Sequence, residues 1–163
     1  MLGRRREVAF VRTGLGLLIN TYLVQEAPRM VAPMNSKGCG RMQLNILVLQ
    51  QNLKNVEEGV DLVRAANYYE LFAGGVDGVL QRAKEDGERA RKKAEAGGEG
   101  DVEEEDEEEV RDPNNRFSYD ELKALVELCY SEQLADPERG VAAAAKRQMA
   151  DKLLNLSEYM WQS

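Results

Sequence analysis

Apolar residues recur at spacings of three and four along most of this chain, a pattern that predicts about six helices and no convincing strand. The first is expected from about Arg5 to Pro28, where Val8, Val11, Leu15, Leu18 and Tyr22 fall along one face. At ~1.5 Å per residue it would be about 30 Å long. It begins almost at Met1 with no capping residue ahead of it, so the natural start of the structure is expected upstream. Pro28 and Pro33 close this helix, and Asn35-Ser36-Lys37-Gly38 reads as the turn that follows.

A second helix is predicted from about Gly40 to Val56. Met42, Ile46, Leu49, Leu53 and Val56 form its main stripe, and Leu44, Leu47 and Val48 widen it. A helix apolar on two faces is expected to be sandwiched between neighbours. After the break at Gly59, Asp61 is placed to cap a short helix running to Phe72, which Gly74 and Gly75 terminate. Tyr68 and Tyr69 are adjacent on it, about 100° apart around the axis, which predicts one in the core and the other at least partly exposed. A fourth helix, Val76 to Ala96, starts amphipathic and ends in a charged run with too few apolar residues to pack.

Residues 97–114 read as an acidic, disordered linker between a helical segment over 1–96 and a helical hairpin over 115–163 that packs on the same bundle. Beyond it, Ser118 and Glu121 form a capping box with Phe117 as the staple residue before it. Leu122, Leu125, Leu128 and Cys129 carry the fifth helix to about Gln133. Asp136 and Pro137 supply a cap and an N1 proline for the sixth, whose later stripe is Met149, Leu153, Leu156 and Met160, with Trp161 at its end. Across Tyr68, Tyr69 and Trp161, a buried packing role is expected for most.

Composition agrees with an all-α chain. The 163 residues are 43% hydrophobic but only 6% aromatic, rich in good helix formers, and enough for one modest core. The charge changes meaning once it is located. Nine carboxylates lie between Glu99 and Glu109, and removing them from the net charge of -7 leaves the remainder at +2. The helical part is thus near neutral and lacks the basic stripe of a nucleic-acid binder. Arg4–Arg6 and the mixed run Arg82–Lys93 are poor substitutes for one.

Candidate chemistry is sparse. With no histidine, the commonest general base and the usual zinc ligand are missing. Cys39 and Cys129 stand alone without CxxC spacing, which fits a reducing compartment, and Cys129 on an apolar face reads as core. The acidic run lacks EF-hand spacing, Gly14 and Gly16 sit in a helical pattern rather than after a strand, and Ser118 is accounted for by capping. No residue is assigned a catalytic, cofactor-binding or metal-binding role, and no enzymatic activity is expected. Arg4–Arg6 followed by Thr13–Val24 imitates a signal peptide, but Glu7 and Arg12 interrupt it and the apolar run falls short of the ~20 residues of a membrane span. Two binding readings stay open on these residues: an acidic adaptor acting through Glu103–Glu109, and a membrane-surface contact through Arg4–Arg6 and the first helix.

The string Gly40–Asn55 goes further. With Asn45–Leu53 reading N-I-L-V-L-Q-Q-N-L and followed by Asn55, it resembles a segment near the C-terminus of the exocyst complex component four family, in a fungal-like or otherwise divergent form. Its flanks are similar too: Phe10, Gly14 and Leu15 before it, Met34, Asn35 and Gly38 at the turn, and Asp61-Leu62 with Ala65, Tyr68, Tyr69, Glu70 and Leu71 after it. The resemblance is strong over 34–72, moderate over 8–33 and permissive beyond 76. It implies a C-terminal piece of a rod-like stack of helical bundles, of the multisubunit tethering type, that docks secretory vesicles at the plasma membrane without catalysis or cofactors. It implies other exocyst subunits as partners and, through the complex, small GTPases or SNARE-related proteins. Membrane association would be peripheral and only through the complex, in the cytoplasm at sites of polarised secretion. The acidic insertion over 97–112 has no place in that pattern.

Overall fold

The computed structural model describes residues 14–56, 61–96 and 116–161. The expected start at Arg5, the arginines at 4–6 and the acidic linker lie outside the described residues. Those described form an all-α bundle of six helices with no strand among them: α1 (14–30), α2 (Ser36–Val56), α3 (Val63–Ala73), α4 (Gly75–Ala96), α5 (Tyr119–Leu134) and α6 (Arg139–Trp161).

The helix ends follow local chemistry, with two departures from expectation. Pro28 does not end α1. The turn Tyr22–Glu26 is a π-turn in which the Ala27 N–H reaches back to the Tyr22 carbonyl, and a fresh α-turn over Ala27–Met30 begins there. Pro28 thereby sits in a first turn, where its missing N–H costs nothing. The stretch from Ser36 to Gly38, expected as turn, is already helical. The Asn35 side chain accepts from the Gly38 N–H (3.0 Å) and its carbonyl from the Cys39 N–H (2.9 Å), so α2 starts a turn earlier than its apolar stripe. Gly75 at φ 72° lets the chain turn from α3 into α4. The capping box at α5 is complete, with Glu121 N–H on Ser118 Oγ (3.2 Å) and Ser118 N–H on Glu121 Oε2 (3.3 Å). Asp136 accepts from the Glu138 N–H (2.8 Å) one step ahead of α6, whose regular part opens at Arg139.

The short helix α3 is the centre of the core. It packs against α1, α2, α4 and α5, while α5 and α6 form a hairpin whose second helix also lies on α4. Surrounded this way, α3 buries both tyrosines rather than one: Tyr68 and Tyr69 are each 0% exposed. Their rings meet edge to face at 5.3 Å. The Tyr68 hydroxyl donates to the Glu121 carbonyl (2.8 Å) on α5 and the Tyr69 hydroxyl to the Leu23 carbonyl (2.7 Å) on α1. Each finds a partner because a different helix lies on its side of α3.

Two other faces depart from the sequence pattern. On α1, Leu18 and Tyr22 point outward, and the buried line is Gly16, Asn20, Val24 and Ala27. On α2, Ile46 and Cys39 are buried and Met42, Leu49 and Leu53 pack beside them, but Leu44, Leu47 and Val48 remain exposed. Among the described helices α2 packs extensively on α3 alone, so it is not sandwiched. Of the three aromatics expected mostly to be buried, Trp161 is the exposed one, at 82%.

Candidate interaction surface

The bundle places its surface helices by satisfying the N-terminus of α3 from three directions. Leu62, before the first turn, has no capping side chain of its own. Asp61 accepts from the Val63 N–H (2.8 Å), Asn20 of α1 from the Ala65 N–H (3.1 Å), and Gln50 of α2 from the Leu62 N–H. Asn20 also donates to the Asp61 carbonyl (2.6 Å). Orphan donors at a helix start must be paired when buried. Here the pairing fixes the rotation of α1 about its own axis, and explains why a polar residue displaces Leu18 and Tyr22 from the core.

A second junction joins α1, α3, α4 and α5. Arg64 on α3 bonds Glu121 at 2.5 Å and the Arg116 carbonyl at 3.3 Å, and Gln25 of α1 donates to the same carboxylate (3.4 Å). The buried Phe117 ring lies 4.9 Å from the Arg64 guanidinium and 5.9 Å from that of Arg82 on α4. Glu121 is only 8% exposed, so its capping and its ion pair share one desolvated site.

Neither cysteine is set up for nucleophilic work. Cys39 is buried with its thiol donating to the Tyr69 carbonyl (3.2 Å), and burial pushes its pKa up. Burial first, then the neighbouring Cys39, push Cys129 up to about 12. Among the described residues no cluster of His, Cys, Asp and Glu is arranged to hold a metal ion. A cavity of about 410 Å³ lies between Pro28, Arg29 and Pro33 on one side and Glu127, Leu128 and Ser131 of α5 on the other; the Ser131 hydroxyl there donates to the Leu128 carbonyl (2.6 Å) and accepts from the Met34 N–H (2.9 Å). Ser118 is held in its capping box.

What the molecule offers is surface. The outward line of α2 is Lys37, Arg41, Leu44, Val48, Gln51 and Asn55, spaced alternately by four and three residues, and every member is exposed. Leu44 is 59%, Leu47 54% and Val48 48% exposed, the last two adjacent on the same side. No charged residue occurs from Met42 to Leu53 in a chain that is 31% charged overall. The outer side of α1 carries Leu17, Leu18 and Tyr22, also exposed. Reading the apolar period alone finds both stripes of α2 but cannot assign one to the core; the progression from cations through aliphatics to amides along the outer stripe was the available signal.

Comparison with known proteins places the chain among relatives. No family model matches the chain, and no solved structure matches it. In an alignment of 172 positions that covers 98% of the chain, it is 67% identical to a probable exocyst complex component sec8 of Neurospora crassa, and it spans 15% of that protein's length. The chain is therefore a relative of the Sec8-type exocyst component over the segment the two share.

Proposed function

We propose that this chain serves as a non-enzymatic, C-terminal part of an exocyst subunit, contributing binding surface to a complex that holds secretory vesicles at the plasma membrane. The observation that carries this reading is the 67% identity to an exocyst component across nearly the whole chain. A bundle with exposed aliphatic residues on two outer helix faces, and no catalytic group assembled among the described residues, suits a role performed by binding. Linked weak contacts raise effective concentration, which is how a tether gains strength without any single tight site. No described helix is long and apolar enough to cross a membrane, so attachment through partners is the proposed route to the membrane. The proposed partners are the other exocyst subunits and, through the complex, small GTPases or SNARE-related proteins, at cytoplasmic sites of polarised secretion.

The test is affinity purification of the tagged chain from cells, with mass spectrometry of the co-purifying proteins. Recovery of exocyst subunits supports the proposal. Recovery of basic proteins alone, lost on deleting 97–112, would replace it with the acidic-adaptor reading.

A further inference from the structure

We infer that the outward stripe of α2 is a docking seam for one amphipathic helix of a partner protein, a helix carrying carboxylates at one end of its own apolar line. This deepens the proposed binding role and rests on it only in taking the chain to act by binding.

Spacing comes first. Lys37, Arg41, Leu44, Val48, Gln51 and Asn55 repeat at four and three residues, the period at which one helix presents a seam to another. On the opposite side of the same helix, Cys39, Met42, Ile46, Leu49 and Leu53 repeat in the same way and meet α3. One helix thus carries two seams, and only the inner one has its partner within the described residues. Single exposed leucines are ordinary on a protein surface. Three aliphatics exposed by about half or more, within twelve residues free of charge, are not scattered singly.

Charge then selects the occupant. Between Ser36 and Val56 there is no carboxylate, and the charged residues are Lys37, Arg41 and Lys54. Lys54 has Glu57 and Glu58 close behind it in sequence, so the unopposed positive end is the start of α2, where Lys37 and Arg41 add to the positive end of the helix dipole. A partner helix whose seam runs from carboxylates through aliphatic residues to amides matches the outer stripe position by position. An anionic membrane fits less well. Polybasic membrane sites use clusters of about 4–8 Lys or Arg, and interfacial helices present a broad apolar face with aromatic residues. The outer stripe of α2 has two cations at its head, a narrow aliphatic strip and no aromatic residue. The outer face of α1 is also apolar, but residues 1–13 next to it lie outside the described residues, whereas the outer stripe of α2 is described from Lys37 to Asn55.

The experiment uses the whole chain and two synthetic helical peptides with the same leucine seam, one carrying glutamates at the seam's end and the other lysines, read by fluorescence anisotropy. The glutamate peptide is expected to bind at least about tenfold more tightly than the lysine peptide. The double variant Lys37→Glu/Arg41→Glu is expected to reverse that preference; both residues are exposed, and circular dichroism confirms the fold. Leu44→Gln/Val48→Gln is expected to weaken both peptides by about tenfold or more. Equal binding of the two peptides, binding unaffected by the charge reversal, or no binding overturns the inference. So does a concentration-dependent dimer abolished by Leu44→Gln, which would make a second copy the occupant, or vesicle binding through phosphatidylserine abolished by the same change. Because the probes are synthetic, failure here leaves co-purification of exocyst subunits unaffected, and the reverse also holds.

Discussion

Helices α2 and α4 are 21 and 22 residues long, both lean on α3, and they treat their outer faces in opposite ways. Eleven charged residues lie on α4 and three on α2. The inner line of α4 runs through Val79, Leu80, Ala83 and Gly87, and beyond it residues 91–95 are exposed on every side. Pairs one turn apart line the helix, Arg82 with Asp86 at 3.1 Å against the bundle and Arg91 with Glu95 at 3.8 Å in the exposed stretch. By contrast, α2 stays on the bundle and sets aliphatic and amide side chains outward. Helix formation needs no such surface, and solubility disfavours it. The contrast separates a helix finished for water from one whose outer side is shaped for protein.

The largest expected effect is at the Arg64–Glu121 junction of α3, the helix on which both lean. Glu121→Ala removes the partner of Arg64, the acceptor for Gln25 and half of the capping box in one step. Breaking a buried pair of this kind costs about 3–5 kcal/mol, and equilibrium denaturation should show it as a large loss of midpoint. A loss below about 1 kcal/mol would mean that Arg64 and Gln25 find water at no cost, and the site would be a surface one.

Next comes a test inside α2 itself. Ile46 is 2% exposed and Leu44, on the other stripe, is 59% exposed. Ile46→Ala should cost about 2–5 kcal/mol through lost burial and the cavity it leaves, while Leu44→Ala should stay within about 0.5 kcal/mol. Equal costs would show that the outer stripe is already packed in the isolated chain, and the contrast with α4 would collapse.

The same pair of residues shows how far the sequence carries. Six helices, the capping box at Ser118 and the uncharged run in α2 are local signals, and periodicity with cap chemistry suffices to find them. Which stripe of a doubly apolar helix turns inward is decided by a neighbour distant in sequence, and nothing local to Leu44 or Ile46 records that choice. On α1 the decisive residue was polar. Asn20 enters the core because α3 lacks a side-chain cap at Leu62, a need visible only when residues 41 and 45 positions away are brought alongside. A search for hydrophobic period passes over an asparagine, although Gly16, Asn20, Val24 and Ala27 hold a helical spacing of their own. The seam of α2 was legible as composition, and its outward direction was not.

Asn20→Leu accordingly tests whether the sequence-level face of α1 can be restored. The substitution adds apolar bulk to the buried line but strips the Ala65 N–H and the Asp61 carbonyl of their partner. Leaving a buried helix-start donor unpaired costs about 1–3 kcal/mol, so the variant should be less stable despite being more hydrophobic. Stabilisation, measured by thermal or chemical unfolding, would mean that hydrophobic burial and not capping orients α1.

The smallest effect belongs to the far end of α4. Arg91 and Glu95 are 68% and 70% exposed at 3.8 Å, a geometry in which water screens the pair and the two long side chains lose entropy by meeting. Arg91→Ala should therefore shift the unfolding midpoint by no more than the equivalent of about 0.5 kcal/mol. The sharper variant is Arg91→Gly, which lowers local helix propensity by about 1 kcal/mol. If the last turns of α4 stand free of the bundle, that cost is met by fraying those turns, and global unfolding hardly senses it. Amide exchange should then speed up over 88–95 while the protection of Tyr68, Tyr69 and Leu125 stays as it was. A global loss instead would show that the charged end of α4 is held by the rest of the fold. The two helices would then differ in the kind of neighbour they have, and no longer in whether they have one.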